Sequence, residues 1–256
     1  MATFVLVPGA WLGRWAWADV ADRLRSDGHD VHPITLPGLA ERAAEATPAI
    51  DLDAHVADLV RTIEERDMRD MSLVGHSYAG FVITGVADRV ADRLAQLVYV
   101  DSGPIPDGMS MLDFFGPEIA SSLRERVAED GDGWRLPFPP LDELGPPAAI
   151  GDIDDGTYER MRRLASPQPF ATYEQPLRRV AGYEGGYERI AIVAGGTGMT
   201  VDQLKEVARS GEGPFSEMAA PDWRFVDLPT GHWPMLTAPD RLASTLVDIA
   251  APIASR

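Results

Sequence analysis

The sequence predicts an α/β protein, a mostly parallel six-stranded sheet flanked by helices and interrupted once by a helical insertion. Three observations predict it. Short, β-branched apolar runs alternate with helical periodicities along nearly the whole 256-residue chain, the pattern of parallel strands covered by helices on both faces. The alternation breaks once, over residues 103–187, where prolines crowd the segment. A small-residue turn around a serine, Gly75-His76-Ser77-Tyr78-Ala79-Gly80, lies directly between a strand run and a helix run.

Taken in order, Thr3–Val7 is the first strand and Pro8-Gly9 ends it. Over residues 15–26 the apolar Ala16, Val20 and Leu24 recur every four residues as one helix face, and Gly28 is placed to stop it. Residues 30–34 form the second strand. Asp51 caps a helix whose Val56, Leu59, Val60 and Ile63 fall at i, i+3, i+4 and i+7. Residues 71–74 are the third strand, followed by the serine turn and a helix through about Arg93; residues 96–100 are the fourth. Within the proline-rich segment the periodicity predicts helices over 111–127 and 158–164. The alternation resumes with a strand over 190–194, a helix from Val201, a strand over 224–228 and a last helix with Pro239 in its first turn. The chain therefore divides into a core of residues 1–102 and 188–256 and a cap of residues 103–187. The cap follows a core strand, which makes it a lid over the carboxyl ends of the strands, where open α/β sheets bind their ligands.

Composition removes several functions. With 23 basic against 40 acidic residues the net charge is −17, and such a surface repels phosphate backbones and anionic lipid, so neither nucleic acid nor a membrane is an expected partner. Cysteine is absent, which excludes disulfides, thiolate metal sites and cysteine nucleophiles. Lys205 is the only lysine and no His-x-x-x-His pair occurs, so neither a phosphate-binding P-loop nor a zinc site is expected. No apolar run approaches the roughly 20 residues of a membrane helix. The opening residues lack a basic leader and read as a strand, so the expected location is cytoplasmic, although secretion is not excluded. The expected partner is a small-molecule substrate, and a homodimer is an assembly open to such a chain.

The chemistry rests on three stretches. Small residues at 75, 79 and 80 allow a tight strand-to-helix turn that exposes the Ser77 hydroxyl at the top of the sheet as a nucleophile. Ala79 stands where the Gly-x-Ser-x-Gly pattern has its second glycine, and a plain glycine-rich turn is the competing interpretation. His232, in Gly231-His232-Trp233-Pro234, follows the last strand and precedes the last helix, the place of a general base in the chain order nucleophile, acid, histidine. His29, His32 and His55 sit within or beside early elements as structural residues, and His76 adjoins the nucleophile but points elsewhere. The loop after the first strand offers the Ala10 N–H, and the residue after the nucleophile offers the Tyr78 N–H, as a pair of oxyanion donors. Trp11 and Trp233 adjoin these positions and are expected in the substrate pocket, with Trp134 and Phe138 contributed by the cap.

On residues 4–17, the 75–80 turn, 167–177 and 231–236, the chain resembles the α/β-hydrolase superfamily over nearly its full length. Within it, the chain is most similar to the methyl-esterase and hydroxynitrile-lyase type and its bacterial esterase relatives. The resemblance implies a six-stranded core with a helical cap, no cofactor, Ser77 as nucleophile, His232 as base, and Ala10 and Tyr78 as oxyanion donors. Three positions depart from it. The family's frequent His-Gly is Pro8-Gly9 here, and the lysine that the lyases place beside the histidine is Trp233, which counts against cyanohydrin cleavage. At the usual position of the acid, after the strand that follows the cap, stands Thr197. Asp101, at the end of the fourth strand, is the first choice of replacement, its competing role being an Asx-turn before Gly103-Pro104. Asp202 is the second, although Thr200 to Gln203 also reads as a helix capping box; a Ser–His dyad or another acid is the third. The expected function is a serine hydrolase cleaving a small, largely apolar carboxylic ester or lactone through an acyl-enzyme. The alternatives are a non-hydrolytic lyase or cyclase tailoring a polyketide-like molecule at the same Ser/His site, and a ligand-binding protein on this fold.

Overall fold

The computed structural model describes residues 1–180, 186–211 and 213–251. After strand β1 (Thr3–Val7) come helix α1 (Ala18–Ser26), β2 (Asp30–Pro33), α2 (Leu52–Glu65), β3 (Met71–His76), α3 (Ala79–Ala87) and β4 (Leu94–Val100). The insertion then carries α4 (Met111–Phe115), α5 (Pro117–Asp130), β5 (Arg135–Leu136), α6 (Pro147–Ile150), α7 (Asp155–Leu164), β6 (Gln168–Pro169) and α8 (Ala171–Glu174). The chain closes with β7 (Glu188–Ala194), α9 (Val201–Ser210), β8 (Trp223–Leu228), α10 (Pro234–Thr237) and α11 (Pro239–Ala250).

Among the described residues six strands form one sheet in the order β2-β1-β3-β4-β7-β8, with every neighbouring pair parallel, while β5 and β6 pair as a separate antiparallel ribbon. Strand side chains alternate between faces, and both faces are apolar. Phe4, Leu6, Val74, Val98, Ile190 and Ile192 pack with Val20 and Leu24 of α1 and Leu242 and Leu246 of α11. Val5, Val7, Leu73, Leu97, Ala191 and Val193 pack with Val56, Leu59 and Ile63 of α2 and Phe81, Ile83 and Val86 of α3. The Asp51 carboxylate accepts the Ala54 N–H at 2.9 Å and starts α2 as expected, a cap worth about 1 kcal/mol. Because β2 and β3 lie on opposite sides of β1, and α1 and α3 on opposite faces, the chain leaves a crevice beyond the carboxyl ends of β1 and β3.

Several helix bounds differ from the periodicity. The 15–26 pattern opens as a 3₁₀ turn, Arg14–Trp17, before α1, and the helix after the serine turn ends at Ala87, with a separate 3₁₀ turn at Ala91–Arg93. The 111–127 pattern is two helices. Gly116 leaves the helical region with φ +83°, and Pro117 starts α5, where its missing N–H costs nothing. The insertion is seated on both layers of the core: Met111, Leu112, Phe170, Tyr173 and Leu177 join the α2/α3 side, Ile153 and Met161 the α1/α11 side. No helix among the described residues is long and apolar enough to cross a membrane.

Candidate active site

The carboxyl ends of the central strands are in register, Val7 beside Gly75, His76 beside Val100, and Val100 beside Ile192. Each strand therefore delivers its next residues to one edge. Ser77 follows β3 with φ +53°, and its N–H donates to the Val100 carbonyl at 3.2 Å. Asp101 follows β4 with φ +45°, and its N–H donates to Ile192 at 2.8 Å. Trp11, after β1, has φ +64°. Three non-glycine residues in this left-handed region at one sheet edge are strain of the kind the surrounding structure must impose. The serine turn is tight for a visible reason. A Cβ at Gly75 would come within 2.8 Å of Ile83, and one at Gly80 would collide with the Ser102 hydroxyl. The Ala79 methyl, by contrast, is fully buried in the core, which explains why alanine serves in place of the second glycine.

Asp101 Oδ2 lies 2.5 Å from Nδ1 of His232, and its Oδ1 accepts the Ala194 N–H at 3.2 Å. The carboxylate thus holds the imidazole with the proton on Nδ1 and Nε2 free to accept. The other two positions for an acid fall elsewhere. Thr197 turns its hydroxyl to the Ala194 carbonyl at 2.8 Å. Asp202 is exposed in the first turn of α9, where Thr200 and Gln203 form the capping box; neither bonds His232 among the described residues. His76 does not simply point away. It is buried beneath His232, its ring centroid 4.7 Å from that imidazole, and its Nε2–H donates to the His232 carbonyl at 2.6 Å. Burial, reinforced by the neighbouring His232, pushes its pKa well below the ordinary 6.5 and keeps it neutral.

Ser77, Asp101 and His232 border one cavity of about 320 Å³. No hydrogen bond joins the Ser77 hydroxyl to His232 among the described residues, an arrangement that tightens when substrate binds in sites of this kind. The Ala10 and Tyr78 N–H groups make no hydrogen bond among the described residues, whereas the adjacent Trp11 N–H is taken by Gln168 Oε1 at 3.0 Å. Tyr78 is anchored from behind. Its hydroxyl donates to Nδ1 of buried His55 at 2.9 Å, and His55 Nε2–H donates to the Pro37 carbonyl at 2.9 Å. Burial lowers the His55 pKa to about 4.

Trp11 and Trp233 border the cavity; Trp134 and Phe138 do not. Trp134 lies under the Arg135 guanidinium at 4.2 Å. Phe138 packs edge-on against Trp11 at 5.9 Å and stacks on Tyr158 at 6.2 Å. Trp11 itself is fixed by its indole N–H to the Leu136 carbonyl at 3.1 Å, which sets the β5 segment against Trp11 rather than in the cavity. The apolar wall comes instead from Phe81, Phe114, Phe115, Tyr173 and Phe215, residues scattered over more than 130 positions with no shared pattern. Among the described residues no cluster of His, Asp or Glu is placed to hold a metal ion.

A doubly covered parallel sheet, a strained serine turn at the end of its third strand and a carboxylate–histidine pair across the same crevice define a hydrolase scaffold. A model of the alpha/beta hydrolase family matches residues 4–245, and the chain belongs to that family. It is 33% identical over 254 residues to a carbendazim hydrolyzing esterase of Nocardioides sp. (strain SG-4G), covering 96% of this chain and 98% of that one. It is 24% identical over 262 residues to methylesterase 10 of Arabidopsis thaliana, covering 97% and 91%. Two solved structures share the fold. The extracellular alpha/beta-hydrolase from a Paenibacillus species, described as sharing structural and functional homology with tobacco salicylic acid binding protein 2, superposes with a TM-score of 0.80 at 23% identity, covering 97% of this chain and 98% of its own. Tomato methylketone synthase I, complexed with 2-tridecanone, gives 0.76 at 20% identity, covering 97% of each chain.

Proposed function

We propose that this carboxylic-ester hydrolase cleaves a small, largely apolar ester through an acyl-enzyme on Ser77. The observation that carries the proposal is the 2.5 Å contact between Asp101 and His232 Nδ1 at the edge of the cavity that also exposes Ser77. In this mechanism His232 Nε2 takes the Ser77 proton as Oγ attacks the ester carbonyl carbon, and Asp101 stabilises the imidazolium. The oxyanion is received by the unengaged N–H groups of Ala10 and Tyr78. The tetrahedral intermediate collapses, the His232 proton leaves with the alcohol, and the acyl group stays on Oγ. Water then gives its proton to His232 and attacks the acyl carbon, releasing the acid and Ser77. The cavity's volume and aromatic wall suit a compact apolar ester, and the names of the carbendazim hydrolyzing esterase and the methylesterases support that substrate class. Residues 103–187 act as the lid.

The test is a fluorophosphonate probe together with a panel of aryl, methyl and lactone esters, run on the wild type and on Ser77→Ala. Labelling and turnover are expected in the wild type. Ser77→Ala should lose labelling and roughly 10⁴ to 10⁶ in kcat. Labelling without turnover of any ester would instead favour a lyase or cyclase on this fold, the class of outcome that the likeness to methylketone synthase makes worth testing. Ligand binding with neither labelling nor turnover would favour a binding protein.

A further inference from the structure

A general base is useful only while its nitrogen is aimed, so what holds the backbone of His232 matters as much as what holds its ring. The peptide groups around it are held from two sides. From the core, His76 donates to the His232 carbonyl at 2.6 Å. From the insertion, the Ala149 carbonyl at the end of α6 accepts the His232 N–H at 2.9 Å. Two residues beyond α6, Asp152 Oδ2 accepts the Gly231 N–H at 2.7 Å and the Thr237 hydroxyl at 2.8 Å. Residue 231 has no room for a side chain, because a Cβ there would run into the Asp152 carboxylate and lie 2.6 Å from the Ala149 carbonyl oxygen. Asp152 is otherwise exposed and outside both apolar clusters, so packing does not account for it. Its one oxygen ties the residue before His232 to the third residue past Pro234, bracketing the base.

We propose that Asp152, with the Ala149 carbonyl beside it, is a positioning residue for His232, so that the seated 147–152 segment of the insertion is a condition of catalysis as well as part of a cover. The inference rests on the reading of His232 as the general base. It follows that this part of the insertion cannot swing away during turnover without releasing the base, and any opening that admits substrate must occur elsewhere along the insertion.

Asp152→Ala and Asp152→Asn in the full chain test it, because a single amide oxygen can still accept both donors whereas a methyl cannot. With the ester that the panel identifies, Asp152→Ala should lower kcat by about 10- to 100-fold, the scale of a misplacement near 1 Å, with KM within about threefold. Fluorophosphonate labelling of Ser77 should slow by the same factor, and Asp152→Asn should recover to within about threefold of wild type. Independently of activity, hydrogen exchange at the Gly231 and His232 amides should be about tenfold or more faster in Asp152→Ala and near wild type in Asp152→Asn. Unchanged exchange at those two amides overturns the proposal, as does a lowered melting temperature with kcat intact. Faster exchange in a chain whose wild type neither labels nor turns over esters would leave the positioning contact standing and refute the ester-hydrolase mechanism alone.

Discussion

Replacing Asp101 by Asn changes one oxygen to an amino group at constant shape, and the structure dictates the consequence. Asn adopts positive φ readily, so the +45° turn at this position survives. The Ala194 N–H, which donates to Oδ1 at 3.2 Å, needs an acceptor and keeps the amide oxygen on its side. The amino group must then face His232 Nδ1, where it can only donate. Nδ1 becomes the acceptor and the imidazole proton moves to Nε2, the nitrogen that receives the Ser77 proton in the proposed mechanism. The opposite amide orientation points two donors at one another. A wrong tautomer of this kind costs up to about 10⁴ in kcat in serine proteases, equivalent to about 5.5 kcal/mol of barrier. Steady-state kinetics on one ester should therefore show kcat down by roughly 10³ to 10⁴ with KM within about threefold, and a melting curve close to wild type. Asp202→Asn is the control. Its side chain is exposed on the first turn of α9, so it should keep full kcat and lose at most about 1 kcal/mol of stability at the helix terminus. If Asp101→Asn retains kcat within tenfold, the tautomer argument is wrong and the Asp101–His232 pair is structural.

Three further outcomes are expected. Truncating Phe115 or Phe215, which border the cavity, should change KM or chain-length preference across an ester series by about fivefold or more, while Trp134→Ala leaves the profile alone; a larger effect at Trp134 would contradict the mapped wall. Buried His55, with its pKa lowered to about 4, and buried His76, held well below 6.5, stay neutral in the folded chain. Unfolded chains take up those protons near pH 6.5, so the stability is complete above that pH and is lost below it, for His55 as pH falls toward 4. For His55 this is about 2 kcal/mol by pH 5, and urea midpoints at pH 7 and pH 5 should converge in His55→Gln relative to wild type; a parallel pH slope in the variant would refute it. Gly80→Ala should cost about 1–3 kcal/mol through its collision with the Ser102 hydroxyl, and a double-mutant cycle with Ser102→Ala should recover part of that loss, zero coupling being the contrary result.

The sheet was legible because its inner strands carry apolar, β-branched runs that helical periodicities separate, and all six strands lie within two residues of their observed ends, although the edge strands β2 and β8 also hold polar residues. Helix bounds were less so. The apolar rhythm of 111–127 runs straight through Gly116, whose backbone conformation, and not the pattern of side chains, divides α4 from α5. The places of Ser77 and His232 at the cavity edge were readable from local context, since a strand, a turn and a helix announce each. Which residue pairs with His232, whether Asp101, Asp202 or neither, was not local. It depends on the pairing of β4 with β7, which brings Asp101 under Ala194 and beside His232. The same limit hid the contacts of His76, Ala149 and Asp152 and the aromatic wall, all of which are made with neighbours far away in the chain. Trp134 and Phe138 mark the reverse limit, since aromatic character within the cap does not by itself put a side chain in the cavity, and neither borders it.

The loop that leaves β7 carries Thr197 and no partner of the histidine, and just beyond it Met199 and Leu204 border the cavity. A chain that mounted its acid on this loop would have to hold a carboxylate steady and shape the ligand's resting place with the same few residues. In the proposed mechanism the two duties are separated, the charge kept on a rigid strand end and the contour left to a connecting segment. Gly195 and Gly196 are fixed against the segment before His232, since the Gly196 N–H donates to the Thr230 carbonyl at 3.0 Å and a Cβ there would lie 2.5 Å from that oxygen; residues 197–199 are the part of the loop to exchange for a differently shaped guest, and the first place to diversify selectivity by selection or by design.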